Sequence, residues 1–192
     1  MELHIIRHGQ TVGNLSGILQ GWSDSSLLPE QSRSLKAINF DASVYDVIYS
    51  SDAGRCTETC NALRLPDLIV DQRLRERNFG AFENRSHTFL KEYFTREYER
   101  FHHLGADYRP PEGESRIQHF NRLSSWIQSI QRCNTVLAVS HGGMLDFLYR
   151  LSCGLDLHGG ERIFDGANAA MSKFRINWPQ VELITFGKPL DT

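Results

Sequence analysis

One short segment restricts the fold of this chain more than any other, the apolar run Thr135–Ser140. Its residues are apolar in succession rather than in alternation, and turn-forming residues bound the run. A strand with one face in water alternates polar and apolar residues, whereas a strand that is buried on both faces does not. The run therefore predicts a central strand of a parallel sheet that helices cover on both faces.

Strand and helix patterns alternate along the rest of the chain. Further strands are predicted at Leu3–Ile6, Val44–Ser50, Leu68–Val70, Met171–Ile176 and Val181–Phe186. Helices are predicted from Pro29 through Ile38, from Ala53 to Leu63 after the caps Ser51 and Asp52, from Thr88 onward, from Ser115 through Ile130, and from Met144 to Leu151. This alternation predicts a three-layer α/β/α sandwich with a mostly parallel sheet and one antiparallel edge strand.

The size and charge of the chain limit its class of function. Its 192 residues suit a single domain, 1–192, and its 40% apolar residues can fill a core. A net charge of −2 gives no reason to expect nucleic-acid binding. No stretch approaches the ~18 apolar residues that a membrane span needs, and the N-terminus lacks the pattern of a secretory signal. We therefore expect a cytoplasmic protein with no nucleic-acid or membrane partner; a homodimer is compatible with the sequence, which leaves the oligomeric state open.

Four cysteines are present, and two of them, Cys56 and Cys60, lie one helical turn apart. A zinc site of the common kinds needs a second pair with ligand spacing, which Cys133 and Cys153 do not provide. Free thiols are the expected state, and no metal or cofactor is predicted.

Two predicted strands end in nearly the same way, in Ile6-Arg7-His8-Gly9 and Val139-Ser140-His141-Gly142. The carboxyl ends of parallel strands lie on one edge of a sheet, where ligands bind, so His8 and His141 are expected to meet there. Arg55 opens the helix after the second strand and belongs to the same edge. Guanidinium groups bind phosphate oxygens in pairs, and the helix N-terminus at Gly142 offers free N–H groups. These residues predict an anion site, with phosphate as the anion.

Further motifs extend this pattern, in a fixed order, over nearly the whole chain. They are Leu3-His4-Ile5-Ile6-Arg7-His8-Gly9-Gln10-Thr11 with Asn14, Gln20-Gly21-Trp22-Ser23-Asp24, Ser50-Ser51-Asp52 with Arg55 and Thr59, Leu74-Arg75-Glu76 with Phe79-Gly80 and Glu83, Gly113-Glu114-Ser115, Val139-Ser140-His141-Gly142-Gly143, and Asn168. This ordered set resembles the signature of the histidine phosphatase superfamily, the phosphoglycerate-mutase-like proteins. The chain departs from the family's pattern at Ser26–Gln31, where a Pro-Leu-Thr-x-x-Gly block is usual, at Ala53-Gly54, and at Asn84-Arg85.

The resemblance implies a phosphate pocket and assigns roles to its residues. His8 would be the nucleophile that becomes a phosphohistidine, and Glu76 would be the proton donor to the leaving group. The phosphate would be bound by Arg7, Asn14, Gln20, Gly21, Arg55, His141 and Gly142. No metal ligand is implied.

This chemistry sets requirements for protonation. His8 must be neutral to attack, and nearby guanidinium groups lower its pKa in that direction. Glu76 must be protonated to donate, and a bound phosphate raises its pKa. His141 can neutralise phosphate charge if it is protonated.

Structural alternatives exist for several of these side chains. Glu76 lies in the charged stretch 74–83, so an ion pair with an arginine between positions 73 and 77 is an alternative to an acid role. Asn14 and Gln20 could cap turns instead of binding phosphate. Trp22 faces either the pocket or solvent.

The expected function is that of a metal-independent phosphatase, which hydrolyses small phosphorylated metabolites through a phosphohistidine. The alternative within the family is a phosphoglycerate mutase, for which the resemblance implies a longer insertion than the stretch 84–113 provides. A non-catalytic phospholigand-binding protein is a third hypothesis, which the presence of Glu76 disfavours because a binder needs no proton donor.

Overall fold

A computed structural model describes residues 1–103, 107–158 and 166–190 of the chain. Its strands are β1 (Glu2–Arg7), β2 (Ile18–Leu19), β3 (Val47–Ser50), β4 (Leu68–Val70), β5 (Arg85–Ser86), β6 (Thr135–Ser140), β7 (Ala170–Asn177) and β8 (Gln180–Pro189). Its helices are α1 (Val12–Leu15), α2 (Pro29–Ala37), α3 (Gly54–Ala62), α4 (His87–Tyr93), α5 (Thr95–His103), α6 (Arg116–Ser129) and α7 (Gly142–Ser152). Every helix in these ranges is too short or too polar to cross a lipid bilayer.

Six strands form one sheet in the order β4-β3-β6-β1-β7-β8. The first four run parallel, and β7 runs antiparallel to both of its neighbours. The α/β/α fold class predicted from the sequence is therefore confirmed. The antiparallel strand lies second from the edge rather than at it, because the chain turns back after β7 and adds β8 outside it.

The apolar run Thr135–Ser140 forms β6, which lies between β1 and β3. Helices α2 and α3 cover one face of the sheet and α6 and α7 the other, with separate buried clusters beneath them. Because neighbours flank β6 on both sides and helices cover both faces, its residues from Val136 onward are buried. This burial explains why polar residues do not interrupt the run.

Three local predictions differ from the structure. The strand predicted from Val44 begins at Val47, because Val44 is exposed in a turn that the N–H of Tyr45 closes onto the carbonyl of Ala42. The helix predicted from Thr88 is two helices, α4 and α5, because Phe94 leaves the helical conformation between them. The ribbon of β2 and β5 was not predicted, since strands of two residues carry no periodicity.

The start of α3 is a further correction. Ser51 and Asp52 are not its N-caps; Ala53 occupies that position without a side-chain cap. The carboxylate of Asp24 instead accepts hydrogen bonds from the backbone N–H groups of Gly54 and Arg55. A Cβ on Gly54 would lie 2.4 Å from that carboxylate, so glycine permits the close approach.

Candidate active site

The two histidines that follow β1 and β6 lie side by side. Arg7 pairs with Ser140 in the strand register, and the backbone N–H of His8 donates to the carbonyl of Ser140 at 2.9 Å. The ring centroids of His8 and His141 are 5.2 Å apart, with the ring planes at 62°. Because β1 and β6 are adjacent, parallel and end in register, they bring together two residues separated by more than 130 positions.

His8 is buried and held in one tautomer. Its Nδ1 lies 2.8 Å from the carbonyl oxygen of Gly9. A carbonyl only accepts, so Nδ1 carries the hydrogen and Nε2 keeps its lone pair. Burial, with smaller contributions from the charges of Arg55 and Arg7, lowers the pKa of His8 to about 3. The imidazole is therefore neutral at pH 7, and both arginines act in the direction predicted from the sequence.

The residue next to the histidine is also fixed. The backbone N–H of Gly9 donates to Oγ1 of Thr59 at 2.9 Å, and that hydroxyl donates to the carbonyl of Arg55 at 2.7 Å. Both partners are on α3, so this helix sets the path of the chain immediately after His8.

Arg55 is 1% exposed and reaches into the same pocket from α3. Its Nη1 donates to the carbonyl of Ser23 at 2.9 Å, and its Nη2 donates to the carbonyl of Gly21 at 2.7 Å. Nη2 also lies 3.1 Å from Nδ1 of His141. The Nε atom is buried and makes no hydrogen bond with any residue of the described ranges. The guanidinium thus joins the loop at Gly21 to the second histidine.

His141 is neutral in this arrangement. Arg55 donates to its Nδ1, so the hydrogen is on Nε2, which donates to Oγ of Ser51 at 3.0 Å. Burial, reinforced by the charge of Arg55, holds the pKa of His141 well below its usual 6.5. The protonated His141 considered from the sequence is therefore not the state seen here, because a buried ring beside a guanidinium resists a proton.

Arg7 and Gly142 complete the edge of the sheet. Arg7 ends β1 and donates through Nη1 to the carbonyl of Gly166. Gly142 is the first residue of α7, and His141 is the N-cap of that helix. The N-terminus of α7, with its partial positive charge, therefore begins at the histidine pair.

Glu76 approaches the pair from the irregular stretch 75–79. Its Oε1 accepts the backbone N–H of Arg77 at 2.9 Å, and its Oε2 accepts that of Gly143 at 3.1 Å. The charge of Glu76 acts to raise the pKa of His8, against the larger lowering effects of burial and Arg55.

The arginines that could have paired with Glu76 have other partners. Arg73 pairs with Asp71, and Arg75 pairs with Asp52. The guanidinium of Arg77 donates to the carbonyls of Glu114 and Tyr108, each at 2.7 Å. These three guanidinium groups are therefore engaged with other partners, and the acid role of Glu76 stays a prediction.

The carbonyl oxygens of the Asn14 and Gln20 side chains serve the turn before α1. Oδ1 of Asn14 accepts the backbone N–H of Thr11 at 3.1 Å and completes a capping box. Oε1 of Gln20 accepts the hydroxyl of Thr11 at 3.1 Å. These two oxygens therefore cap the turn, which was the structural alternative for Asn14 and Gln20. Asn168 makes a separate contact, in which its Nδ2 donates to the carbonyl of His8 at 2.9 Å.

The loop at Gly21 is held by a carboxylate. Glu83 accepts the backbone N–H groups of Trp22 and Ser23 at 2.8 and 2.7 Å. Gly21 has φ of +58°, and a Cβ there would lie 2.2 Å from Glu83 Oε1. Trp22 is 44% exposed, and its indole N–H donates to the carbonyl of Glu76 at 2.9 Å.

Sequence reasoning missed two residues of α6 that contact the Glu76 segment. His119 donates through Nε2 to the carbonyl of Arg75 at 3.2 Å, and Arg122 donates to several carbonyls of the same segment. The available signal was a histidine beside Phe120 on the buried stripe of an amphipathic helix. Within the described ranges, no group of three or more His, Cys, Asp or Glu side chains is arranged to hold a metal ion.

Comparisons with known proteins identify the family and the fold of this chain. The family description "Histidine phosphatase superfamily (branch 1)" matches residues 3–187. A putative phosphoserine phosphatase 2 of Hydrogenobacter thermophilus is 32% identical over 166 residues, covering 81% of this chain and 80% of that protein. A probable phosphoglycerate mutase of Escherichia coli is 30% identical over 171 residues, covering 85% and 80%. The solved structure of Bacillus stearothermophilus YhfR has a TM-score of 0.84 at 25% identity, over 97% of this chain and 96% of that one.

Proposed function

This chain belongs to the histidine phosphatase superfamily and is a phosphoric monoester hydrolase, and we propose that it hydrolyses small phosphomonoesters through a phosphohistidine on Nε2 of His8. One observation carries the proposal. His8 is a buried, neutral imidazole whose Nδ1–H is bound to the carbonyl of Gly9, so its lone pair is on Nε2. A nucleophile for phosphorus needs that lone pair, and a histidine kept only for structure does not.

In the first step, the Nε2 lone pair of His8 forms a bond to phosphorus as the bond to the leaving-group oxygen breaks. A protonated Glu76 gives its proton to that oxygen, which would otherwise leave as an alkoxide. In the second step, a water oxygen bonds to phosphorus, the P–N bond breaks, and Glu76 takes a proton from the water. General acid help of this kind is typically worth ~10²–10⁴-fold.

Phosphoryl transfer also requires neutralisation of charge on the equatorial oxygens. Arg7, Arg55 and the N-terminus of α7 at Gly142 supply positive charge and donors without a metal ion. His141 donates as a neutral ring, and a dianionic phosphate beside it raises its pKa toward protonation. Burial strengthens these interactions, because charges interact more strongly where water is excluded.

The substrate is a small phosphorylated metabolite. The similar protein of Hydrogenobacter thermophilus is named as a phosphoserine phosphatase and that of Escherichia coli as a phosphoglycerate mutase. Hydrolysis is proposed over mutase activity because the stretch 84–113 is short for an insertion that shields a phosphoenzyme from water. Release of inorganic phosphate from phosphoglycerate faster than transfer between its positions is the expected result; the reverse would identify a mutase.

The nucleophile is tested by trapping the intermediate. Incubation with phosphate-labelled substrate, followed by an alkaline quench, should leave acid-labile phosphate on the wild type. His8→Ala should abolish turnover and label, whereas His158→Ala, at a side chain 62% exposed, should retain both. Label that persists in His8→Ala would mean another nucleophile.

The metal-free mechanism is tested separately. Hydrolysis of p-nitrophenyl phosphate should continue in excess chelator, because side chains supply the positive charge. Complete and metal-reversible loss of activity would refute this part of the proposal.

A further inference from the structure

The segment that carries Glu76 has no regular secondary structure to hold it. Residues 75–79 lie between two short 3-10 turns, Gln72–Leu74 and Gly80–Phe82. A ladder of backbone hydrogen bonds fixes a residue in a helix or strand. This segment has few such bonds, among them the one from the N–H of Glu114 to the carbonyl of Asn78 at 2.8 Å, and it is held mainly by side chains that reach it from elsewhere. The positions of those side chains therefore decide where the carboxylate lies.

Arg122 of α6 supplies the largest set of these contacts. Its Nη1 donates to the carbonyls of Arg73 at 2.8 Å and Arg75 at 3.0 Å, and its Nη2 donates to the carbonyl of Glu76 at 3.1 Å. We infer that Arg122 is a positioning residue for Glu76, which fixes the distance of the proposed proton donor from the phosphorus-bound oxygen. This inference rests on the proposed function.

The guanidinium is itself held in place. Glu114 accepts from Nε of Arg122 at 3.0 Å and from its Nη2 at 2.8 Å, a two-point ion pair whose side chains are only 18% and 14% exposed. The same carboxylate accepts the backbone N–H of Asn78 at 3.2 Å. Arg122 therefore joins the Glu76 segment to α6 as a rigid fork rather than as a mobile surface side chain.

The carbonyl of Glu76 is held from two directions. The indole N–H of Trp22 donates to it at 2.9 Å from the Gly21 loop, and Arg122 donates from α6. His119, also on α6, donates to the carbonyl of the preceding residue, Arg75. The backbone on either side of the Glu76 Cα is thus fixed, and its carboxylate then reaches the N–H of Gly143.

Lysine cannot reproduce this geometry. A guanidinium presents five donors in a plane, which here bridge a carboxylate and several carbonyls, whereas an ammonium is a compact point charge. Arg122→Lys keeps the positive charge and removes the fork. A misplacement of about 1 Å can cost ~10²-fold in rate, so loss of the fork has a measurable consequence for a proton donor.

The test compares two substrates of nearly the same shape, p-nitrophenyl phosphate and phenyl phosphate. Phenolate is the poorer leaving group and needs the proton more, so Glu76→Gln should lower kcat for phenyl phosphate much further than for p-nitrophenyl phosphate. Arg122→Lys should change the ratio of the two rates in the same direction, by about tenfold or more. Arg73→Lys is the matched control, because its guanidinium pairs with Asp71 in the same stretch; the ratio should stay within about twofold.

A double variant separates positioning from a general structural role. In a Glu76→Gln background, Arg122→Lys should cost little further rate on phenyl phosphate, because the group through which it acts is gone. Equal losses on both substrates, or full additivity with Glu76→Gln, would overturn the inference. If Arg122→Lys does not fold, Glu114→Gln carries the same test, since it loosens the fork without removing it.

The same experiment distinguishes the two proposals. If Glu76→Gln changes the substrate ratio and both fork variants do not, the positioning inference fails and the acid role stands. If Glu76→Gln itself leaves the ratio unchanged, the acid role fails, and the inference about Arg122 fails with it.

Discussion

Gly143→Ala tests the placement of the carboxylate from the side of α7. A Cβ at this position would lie 2.2 Å from Oε1 of Glu76 and 2.5 Å from Cε1 of His119. Ordinary contact begins at 3.4 Å, so the carboxylate must move by about 1 Å and its bond to the Gly143 N–H is lost. A displacement of about 1 Å in a reacting group can cost ~10²-fold.

We therefore expect kcat for phenyl phosphate to fall ~10²-fold in Gly143→Ala, within the range of a lost general acid. The fall for p-nitrophenyl phosphate should be about tenfold or less, because its leaving group needs less protonation. Steady-state assays on both substrates at pH 7 give the two numbers. The protein should remain folded, because Gly143 has no left-handed backbone conformation and the atoms that a Cβ would crowd belong to side chains rather than to the backbone.

Gly154→Ala is the control for stability. Gly154 has φ of +63° and a Cβ there would meet nothing within 4 Å, so the substitution strains the backbone far from Glu76. It should lower Tm by a few degrees without changing the ratio of the two rates. If Gly143→Ala lowers both rates equally, or leaves them unchanged, the carboxylate is not the proton donor or does not lie where the structure has it.

Two further predictions concern stability. Acid should destabilise the fold between pH 6.5 and about 4. Burial lowers the pKa of His8 to about 3 and that of His119 to about 4, so both rings gain protons only on unfolding. Each histidine then lowers the free energy of unfolding by about 1.4 kcal/mol per pH unit. Urea unfolding at pH 7 and 5.5 measures this, and His8→Asn should flatten the dependence; stability that rises with acid would contradict it. Asp24→Ala should cost about 1 kcal/mol or more, at least roughly 2–4 °C in Tm, because α3 loses the carboxylate at its N-terminus and the buried Arg55 loses its ion pair with that carboxylate. Asp41→Ala, which removes an exposed carboxylate bonded to Ser43, should change Tm far less, and equal shifts would show that Asp24 is no cap.

The centre of the site was predictable because each of its two histidines directly follows a strand that the sequence shows. An unbroken apolar run identifies a buried parallel strand, and the residue after such a strand lies at the ligand edge of the sheet. The sequence placed His8 and His141 on this one edge, and the structure adds that β1 and β6 are neighbours, which brings the two rings together. Arg55 followed from its place at the start of the helix after the second predicted strand, whereas the role of Glu76 came only from the resemblance.

The supports of the site were not predictable for the opposite reason. Asp24 caps a helix that begins 30 residues later, and Arg122 binds carbonyls some 46 to 49 positions away. Neither contact follows from a helical or strand spacing in the sequence. Every residue has a backbone carbonyl, so the residue type does not show which carbonyls Arg122 binds. The end of α4 at Phe94 was not predicted for a related reason. The helical spacing of apolar residues continues past Phe94, whereas the helical backbone conformation does not.

A third buried cluster, formed by Leu19, Phe82, Leu90 and Tyr108, has no buried member in common with the two clusters that flank the sheet. It underlies α4 and α5, beside the loop that carries Trp22. Substitutions in this third cluster can therefore accumulate while the packing of the sheet and of the histidine pair stays unchanged. In such an architecture, the packing around α4 and α5 can differ between relatives while the packing around the histidine pair is kept.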